Sequence, residues 1–292
     1  TAQGGTCWPG VAPVPPRAVG KAKKNAPDIL LVLVDGVRWD STSLGGYTQD
    51  TTPQLKRLAK HGTSFEHAYS CSASTRQTFR SLLTGLQLAQ VAPSNGRNRW
   101  ALTFPDGQQT LASYLQAAGY ETISVQTSKV FFDKDPSGLR GFEVDDRMPQ
   151  DAWSARGYSA DTHVDRIISH LSAPGPQRPR FIFSHLMEPH KPYGGGPKPK
   201  TFKKSKNKRY LAGLHYADRQ LGRLIEFVLS PERRKQTLLV VTSDHGMGSH
   251  GTSLADNQTH VPFLWFGGGV QSQSISQPVG LIDIAPTLFE FA

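Results

Sequence analysis

The sequence predicts an α/β fold, a three-layer α/β/α sandwich around a mostly parallel mixed sheet. Two short apolar runs, residues 29–34 and 237–243, end in the carboxylates Asp35 and Asp244. Segments typical of strands alternate with segments typical of helices, which indicates a sheet covered on both faces. Ligands of such sheets collect beyond the carboxyl ends of the strands. We therefore expect Asp35 and Asp244 to meet at one site.

The first half of the chain contains clear start and stop signals. After the first strand, Thr52 and Pro53 predict a helix N-cap and first turn, and Gly62 predicts the end of that helix. Residues 63–69 predict a strand. This strand leads into a hydroxyl-rich stretch, residues 71–75, and the apolar spacing beyond it predicts a buried helix.

The second half continues the alternation. Helices are predicted over residues 110–118 and 159–171, and strands over residues 122–125 and 181–183. A long helix follows, because seven apolar residues recur at the spacing of one helical face. These residues are Leu211, Leu214, Ala217, Leu221, Leu224, Ile225 and Val228.

Length and composition favour one large folded domain. The chain has 292 residues, and its hydrophobic content of 37% is gathered into runs. No apolar stretch approaches the roughly 20 residues of a membrane-spanning helix. Residues 1–28 are rich in Gly, Pro and Ala and lack apolar periodicity, so they predict an N-terminal tether. Residues 29–292 form the predicted domain.

The charge balance indicates anionic partners. The formal net charge is +10 and the sequence pI is about 9.7. No nucleic-acid motif accompanies this charge, so anionic lipid headgroups or a membrane surface are the favoured partners and nucleic acid is not expected. The basic loop over residues 198–209 is either a solvated loop or a contact with such a surface.

Side chains at the predicted sheet edge suit a divalent metal. Asp244 and His245 place a carboxylate oxygen and an imidazole nitrogen on one turn. Asp35, taken alone, could simply end a strand. A hydroxyl of residues 71–75 would face the free N–H groups and the positive dipole end of the next helix, which favour an ionised oxygen. This stretch is therefore expected to supply a nucleophile.

Five motifs in order resemble the sulfatase branch of the alkaline phosphatase superfamily. They are Val34-Asp-Gly-Val-Arg-Trp-Asp40, Thr51-Thr-Pro-Gln-Leu-Lys-Arg-Leu-Ala59, Ser81-Leu-Leu-Thr-Gly85, His185-Leu-Met-Glu-Pro-His-Lys-Pro-Tyr193 and Ser243-Asp-His-Gly246. The resemblance covers residues 28–292. It implies an alkaline-phosphatase-like fold and a sulfatase-like catalytic domain over residues 29–292.

The resemblance also implies a metal and its ligands. Asp35, Thr75, Asp244 and His245 would hold one divalent metal, with zinc favoured over manganese, magnesium or calcium, and a second metal stays open. Many sulfatases carry two consecutive aspartates where this chain has Asp35 and Gly36, so a calcium site with a larger oxygen shell is disfavoured. The single acid, the threonine and the Asp-His pair are more similar to phosphoethanolamine and glycerophosphate transferases.

The same resemblance sets the register of the nucleophile. In sulfatases a serine, or a cysteine oxidised to formylglycine, lies about ten residues before the glycine of the Leu-Leu-Thr-Gly motif. That spacing, counted back from Gly85, gives Thr75, whereas Cys71 lies four residues earlier. Thr75 is the predicted nucleophile. Cys71 is predicted to pair with Cys7 in a disulfide if the domain is exported, the alternative being two free buried thiols.

Four histidines and one arginine are predicted to complete the site. By resemblance, His190 faces the substrate or an additional metal and is assigned to both catalysis and substrate binding. His185 and Arg76 are assigned to substrate binding. His250 and His260 follow the Asp-His pair, and one of them is expected to protonate the leaving oxygen or to hold a second metal.

The predicted function is metal-dependent phospho-group transfer or phosphodiester hydrolysis through a phospho-threonine intermediate. The substrate would be an anionic lipid or an envelope glycan. The predicted location is periplasmic or extracytoplasmic, with a membrane anchor upstream of Thr1 left open. Two alternatives stay open: a sulfatase that hydrolyses sulfate esters, and a catalytically silent relative that binds anionic lipid as a sensor or scaffold.

Overall fold

The structure is a computed structural model. It describes residues 20–23, 25–91, 102–126, 136–148, 160–174, 178–191, 193, 202, 205–247 and 253–292. Cys7, His250, most of the N-terminal tether and half of the basic loop lie outside these residues.

The described residues form one mixed sheet. Its strands are β1 Asp28–Val34, β2 Thr63–Tyr69, β3 Glu121–Gln126, β4 Val144–Arg147, β5 Arg180–Leu186, β6 Thr237–Ser243, β7 His260–Gly267, β8 Gln273–Ile275 and β9 Val279–Gly280. The strand order is β4-β3-β5-β1-β6-β7-β2-β8, and β9 pairs with β2. Among these strands only β7 runs antiparallel to its neighbours, which confirms the prediction of a mostly parallel mixed sheet.

Helices cover both faces of this sheet. They are α1 Pro53–Ala59, α2 Thr75–Thr84, α3 Leu111–Ala118, α4 Ala160–Ser172, α5 Lys208–Leu229, α6 Asp256–Thr259 and α7 Ile284–Phe291. Helices α1, α4 and α5 pack with Leu30 and Val32 of β1, whereas α2, α3 and α7 pack with Leu31 and Leu33. Side chains alternate between the faces of a strand, so β1 contributes to two separate cores. The three-layer α/β/α prediction is confirmed.

The predicted elements correspond to observed ones, with small differences at their ends. The strands expected near residues 29, 63, 122, 181 and 237 are β1, β2, β3, β5 and β6, and the helices expected over residues 110–118 and 159–171 are α3 and α4. The long helix is α5, and the seven apolar residues assigned to its inner face are buried. Within the described residues, no helix combines the length and the apolar character needed to span a bilayer.

Strand β7 was not predicted, and Pro262 explains part of the difficulty. Proline cannot donate a backbone hydrogen bond and is rare inside a sheet except at bulges. Here the register of the β2–β7 pair shifts between Phe65 and Ala68, opposite Pro262. The Pro262 carbonyl accepts a hydrogen bond of 2.8 Å from the Thr242 hydroxyl. The bulge therefore allows a proline in an interior strand.

Helix α1 begins where the sequence predicts, but a distant residue caps it. Thr52 occupies the N-cap position, yet its side chain makes no capping hydrogen bond and instead accepts one from Ser43 N–H. The Asp218 carboxylate on α5 accepts the N–H groups of Gln54 and Leu55, each at 2.9 Å. Two N–H groups that a helix start leaves unpaired are thereby satisfied across the core.

Candidate active site

Strands β1 and β6 place Asp35 and Asp244 side by side. The strands are parallel and their last residues, Val34 and Ser243, are paired, so the carboxylates that directly follow them are neighbours. By strand alternation both carboxylates lie on the face that carries Leu33, which is the face covered by α2. Both side chains are fully buried. The two acid-terminated runs therefore meet at one sheet edge.

Backbone groups of the two turns orient Asp244. Its Oδ1 accepts hydrogen bonds from Gly36 N–H at 3.1 Å and from His245 N–H at 2.9 Å. The Ser243 hydroxyl ties the turns together, since it accepts from Val37 N–H at 2.8 Å and donates to the His245 carbonyl at 2.7 Å. Gly36 has a positive φ of 67°, a conformation that favours glycine.

Thr75 is the first residue of α2, and its hydroxyl points at the acidic cluster. Its Oγ1 lies 3.4 Å from Asp35 Oδ2 and 3.2 Å from His245 Nε2. The side chain is buried, with 7% of the residue exposed. At this position the hydroxyl faces the N-terminus of the helix, whose dipole favours negative charge. The structure thus brings Thr75, Asp35 and His245 together.

The hydroxyl-rich stretch before α2 fixes this position. The Ser70 hydroxyl donates to the Ser72 carbonyl at 2.9 Å and lies 2.8 Å from Thr78 Oγ1. The Ser72 hydroxyl donates to Gln77 Oε1 at 2.5 Å. The hydroxyl groups of Ser70, Ser72 and Thr78 thus connect the loop before α2 to the first helical turn. Neighbours on both sides therefore set the orientation of Thr75.

His245 presents one ring nitrogen to the cluster. Its Nδ1 lies 2.6 Å from the Gly246 carbonyl oxygen, which can only accept, so Nδ1 carries the proton. The lone pair of Nε2 then points toward Thr75 and toward Asp244 Oδ2 at 3.2 Å. Such a hydrogen bond donated by the second ring nitrogen is the usual support of a metal-binding histidine.

Asp35, Asp244 and His245 have the chemistry and spacing of a divalent-metal site. One ligand atom from each lies within 4.8 Å of the other two, close enough for a shared ion with ligand distances near 2 Å. Within the described part of the chain, Asp35 Oδ1 and Asp244 Oδ2 are buried oxygens without a hydrogen-bond partner. Buried polar atoms are normally satisfied, so two open oxygens on adjacent carboxylates fit a bound cation.

The electrostatics of the pair agree with this interpretation. Burial and then the charge of Asp244 raise the pKa of Asp35 well above its usual value. Burial alone would also raise the pKa of Asp244, but His245 and His185, with the hydrogen bond from Gly36 N–H, lower it. Two adjacent buried carboxylates cannot both ionise cheaply unless a positive charge lies between them. A divalent cation would supply that charge.

His185 faces the same cluster from β5. Its Nε2 lies 3.4 Å from Asp35 Oδ2 and 3.9 Å from Asp244 Oδ2. Its ring meets Phe79 of α2 edge-on, with the centroids 4.9 Å apart. Burial lowers the pKa of His185 to about 4, so the imidazole is neutral at neutral pH. Its placement beside the ligand carboxylates is compatible with the predicted contact to the substrate.

His190 follows β5, and Arg76 follows Thr75 at the start of α2. His190 is half-buried, and burial lowers its pKa. Its Nδ1 lies 2.6 Å from the Lys191 carbonyl oxygen and therefore carries the proton in the neutral ring. Asp244 and His245 are among the charges that act on it. Arg76 is the second residue of α2 and is half-buried.

The structure does not bring His260 or Cys71 into the metal cluster. His260 Nε2 lies 2.7 Å from the Glu66 carbonyl oxygen, and its ring stacks on Trp39 and Tyr69. Cys71 is buried in the turn before α2, and the group of described side chains that could hold a metal does not include it. The predicted partner of this cysteine and His250 lie outside the described residues. The disulfide and the role of His250 stay predictions.

Sequence analysis missed the groups that hold the ligands in place. The Ser243 hydroxyl, the Gly36 N–H and the Gly246 carbonyl orient Asp244 and His245. Two of the three are backbone groups, which no residue type reveals. The glycine that follows each acid-terminated run was the one available signal, because a glycine directly after a strand indicates a tight turn.

The sequence profile of the Sulfatase family matches residues 27–292, nearly the whole chain. The chain belongs to the sulfatase family. Among curated relatives, the N-acetylglucosamine-6-O-sulfatase of Bacteroides thetaiotaomicron is 25% identical over 191 residues, which cover 61% of this chain. The match spans only 33% of the length of that relative.

Solved structures of the alkaline phosphatase superfamily share the fold of this sulfatase-family chain. The C-terminal periplasmic domain of EptC from Escherichia coli, in complex with zinc, has a TM-score of 0.76 at 19% identity and covers 96% of this chain and 86% of that one. An enzyme in complex with its substrate D-glucosamine-2-N,6-O-disulfate has a TM-score of 0.73 at 18% identity, with coverages of 91% and 76%. At these identities the likeness establishes the fold.

Proposed function

We propose that this sulfatase-family chain transfers or hydrolyses a phospho group through Thr75. The observation that carries the proposal is the position of the Thr75 hydroxyl, at the N-terminus of α2 and 3.4 and 3.2 Å from Asp35 and His245. A threonine is a secondary alcohol, so its oxidation would give a ketone and not formylglycine. The residue in the nucleophile position is therefore suited to direct attack.

In the first step the Thr75 oxygen attacks the phosphorus of the donor. The Oγ1–P bond forms, the bond from phosphorus to the leaving oxygen breaks, and the hydroxyl proton passes to solvent. A divalent cation held by Asp35, Asp244 and His245 would lower the pKa of the Thr75 hydroxyl and oppose the charge developing on the phosphoryl oxygens. The helix N-terminus favours the same negative charge.

The second step removes the phospho group from Thr75. An acceptor hydroxyl, or water, attacks the phosphorus, the Oγ1–P bond breaks, and Thr75 recovers a proton. We assign His190 as the group that takes the proton of the acceptor, since its Nδ1 is held by the Lys191 carbonyl and Nε2 is the basic atom of the neutral ring. Water as acceptor makes the enzyme a phosphodiesterase, and a sugar or lipid hydroxyl makes it a transferase.

The substrate class that we favour is an anionic envelope glycan in a periplasmic or other extracytoplasmic compartment. The net charge of +10 supports attraction to a polyanion. The fold is shared with a periplasmic domain and with an enzyme that acts on a sulfated sugar. An anionic lipid at a membrane surface is the runner-up, because it carries the same charge. Zinc is the metal that we favour, since two carboxylates and an imidazole suit it.

Sulfate ester hydrolysis is the second candidate, because the curated relative reported above is a sulfatase. The two candidates differ in the residue that they require. Phospho transfer through an alkoxide requires Thr75, whereas a formylglycine mechanism requires Cys71. These residues are four positions apart in the sequence, so single substitutions distinguish the mechanisms.

Turnover of bis(p-nitrophenyl) phosphate and of p-nitrophenyl sulfate tests the proposal. We expect Thr75→Ala to lower phosphodiester turnover about a thousandfold or more, because it removes the attacking oxygen. Thr75→Ser should retain part of the activity, since the hydroxyl survives. Cys71→Ser is the matched control and should leave turnover unchanged.

Three results would contradict the proposal. One is an active Thr75→Ala protein beside an inactive Cys71→Ser protein, with sulfate as the preferred ester. Another is a wild-type protein that turns over neither ester with any divalent metal, as expected for a silent scaffold. The third is an intact-mass spectrum, recorded after reaction with a phosphodiester donor and acid quench, that shows no phospho adduct on Thr75.

A further inference from the structure

A group of four rings lies at the same sheet edge as the metal cluster. His260 stacks on Trp39, Tyr69 and His67, with ring centroids 5.4, 4.9 and 5.8 Å apart and interplanar angles of 19°, 27° and 25°. The planes are thus nearly parallel. We call this group, Trp39, His67, Tyr69 and His260, the ring platform.

The topology puts the platform beside the reacting groups. Tyr69 ends β2, which runs parallel to β1, and His260 begins the antiparallel β7, so both lie at the carboxyl edge of β1. Trp39 follows Asp35 by four residues. Two backbone hydrogen bonds, Gly246 N–H to Gln258 O at 2.7 Å and Ser70 N–H to Thr259 O at 2.8 Å, join the platform segment to the turns that carry His245 and Thr75.

The platform is partly open to solvent, and a hydrogen bond holds its central ring. Trp39, Tyr69 and His260 are half-buried and His67 is exposed, so the rings are not simply a part of the core. The His260 ring is fixed by its Nε2 hydrogen bond of 2.7 Å to the Glu66 carbonyl. Tyrosine and tryptophan at such positions combine an apolar face with a polar edge.

Hydrogen-bonding groups flank the platform. Arg38 and Asp40, on either side of Trp39, form an ion pair, with Arg38 Nε 2.8 Å from Asp40 Oδ1. The Asp40 side chain is 58% exposed, so it remains accessible to a ligand. Small-molecule sites typically combine aromatic and apolar side chains with a small number of polar groups that fix the orientation of the ligand.

We propose that the ring platform binds a sugar ring of an anionic glycan substrate, next to the group that is transferred. The inference rests on the proposed function and specifies its substrate class. The C–H face of a sugar would lie on the Trp39 or Tyr69 ring, and its hydroxyls would bond Asp40 and Arg38. A lipid chain fits poorly, because two of the four rings are imidazoles and an ion pair borders the group.

Binding in an unreactive background tests this proposal separately from the chemistry. The Thr75→Ala protein is titrated with D-glucosamine-2-N,6-O-disulfate and with a heparin hexasaccharide, and the Kd is measured by calorimetry. We expect Trp39→Ala to raise the Kd about tenfold, a loss of about 1.4 kcal/mol. Trp39→Phe should restore most of the affinity, because a flat ring is retained.

Phe65→Ala is the matched control for loss of a stacked ring. Phe65 lies on β2, like Tyr69, and stacks on Phe263 at 4.6 Å, but it packs with the core under α2, α3 and α7. It should leave the Kd unchanged. If melting curves show that Trp39→Ala is not folded, Tyr69→Ala provides the decisive measurement, with the same tenfold loss expected.

Two outcomes would contradict the proposal that the ring platform binds a sugar. The first is sugar binding that is equally tight in the Trp39→Ala and Tyr69→Ala proteins. The second is that neither sugar binds. If phosphatidylglycerol or phosphatidylethanolamine vesicles bind instead, and this binding depends on Trp39, the platform is a lipid site. The sugar titrations use the unreactive Thr75→Ala protein and do not depend on turnover. Failure of the Thr75 chemistry would therefore leave the result of the sugar titration unchanged.

Discussion

Asp218 and the Asp35–Asp244 pair are buried carboxylates in very different surroundings. Both oxygens of Asp218 accept a backbone N–H at the start of α1, at 2.9 Å each. Asp35 and Asp244 lie side by side, and each keeps one buried oxygen that has no hydrogen-bond partner among the described residues. Both places are therefore buried, and they differ in whether the carboxylate oxygens accept hydrogen bonds.

This difference separates a structural acid from a functional one. A buried carboxylate that caps a helix contributes to stability and is complete without a ligand. Adjacent carboxylates with open oxygens cost stability until a cation binds, since each raises the free energy of ionising the other. The comparison predicts opposite effects of the same substitution in the two places.

The largest expected effect is the loss of turnover in Asp244→Asn. Removing one ligand charge weakens both cation binding and the stabilisation of the attacking oxygen, so phosphodiester turnover should fall about a hundredfold to a thousandfold. Asp218→Asn, measured in parallel by initial rates, should keep wild-type turnover. Equal losses in the two variants would remove the distinction between the two kinds of carboxylate.

A metal-dependent shift in melting temperature should follow. At a zinc concentration of about 100 times the Kd, binding contributes about 2.7 kcal/mol, which corresponds to about 4 °C for a chain of this size. Scanning calorimetry with zinc and with a chelator should show this shift for the wild type and for Asp218→Asn. Asp35→Asn should show little shift and, with the chelator, should melt at or above the wild-type temperature. A full shift in Asp35→Asn would exclude it as a ligand.

The third prediction concerns stability without chemistry. Asp218→Ala leaves the N–H groups of Gln54 and Leu55 unpaired, and the free energy of unfolding should fall by about 1–3 kcal/mol. Urea denaturation measures this change, and the turnover of the folded variant should equal that of the wild type. A stable Asp218→Ala protein would show that the N–H groups find other partners.

The last prediction concerns a pH dependence of that stability. Burial raises the pKa of Asp218 to about 7, against the partly opposing hydrogen bonds from Gln54 and Leu55. Because the folded pKa exceeds the usual value of 3.8, the contribution of this group to stability is complete below pH 3.8 and is lost as the pH rises through 7. Asp218→Asn cannot ionise, so the melting temperature of the wild type minus that of the variant should decrease between pH 4 and 8. A constant difference would contradict the raised pKa.

Much of the fold was predictable because its signals are local. The apolar run before Asp35 and the seven apolar residues of α5 depend only on neighbours in the sequence. Strand β7 was missed because its proline is acceptable only opposite a bulge in β2, a partner nearly 200 residues away. The N-cap position of Thr52 was predicted correctly, but the capping carboxylate was not predictable for a similar reason, since Asp218 lies 164 residues from Gln54.

The sequence alone determined the types of residue at the candidate site and their order. Two acids directly after two apolar runs, a histidine beside one of them and a hydroxyl before a helix are all visible in it. Only the tertiary structure decided which of them meet. Register between β1 and β6 put Asp35 beside Asp244, and the start of α2 brought Thr75 to them. Packing placed His185 at this cluster and His260 in the ring platform, because strand pairing fixes position across the sheet and spacing along the chain does not.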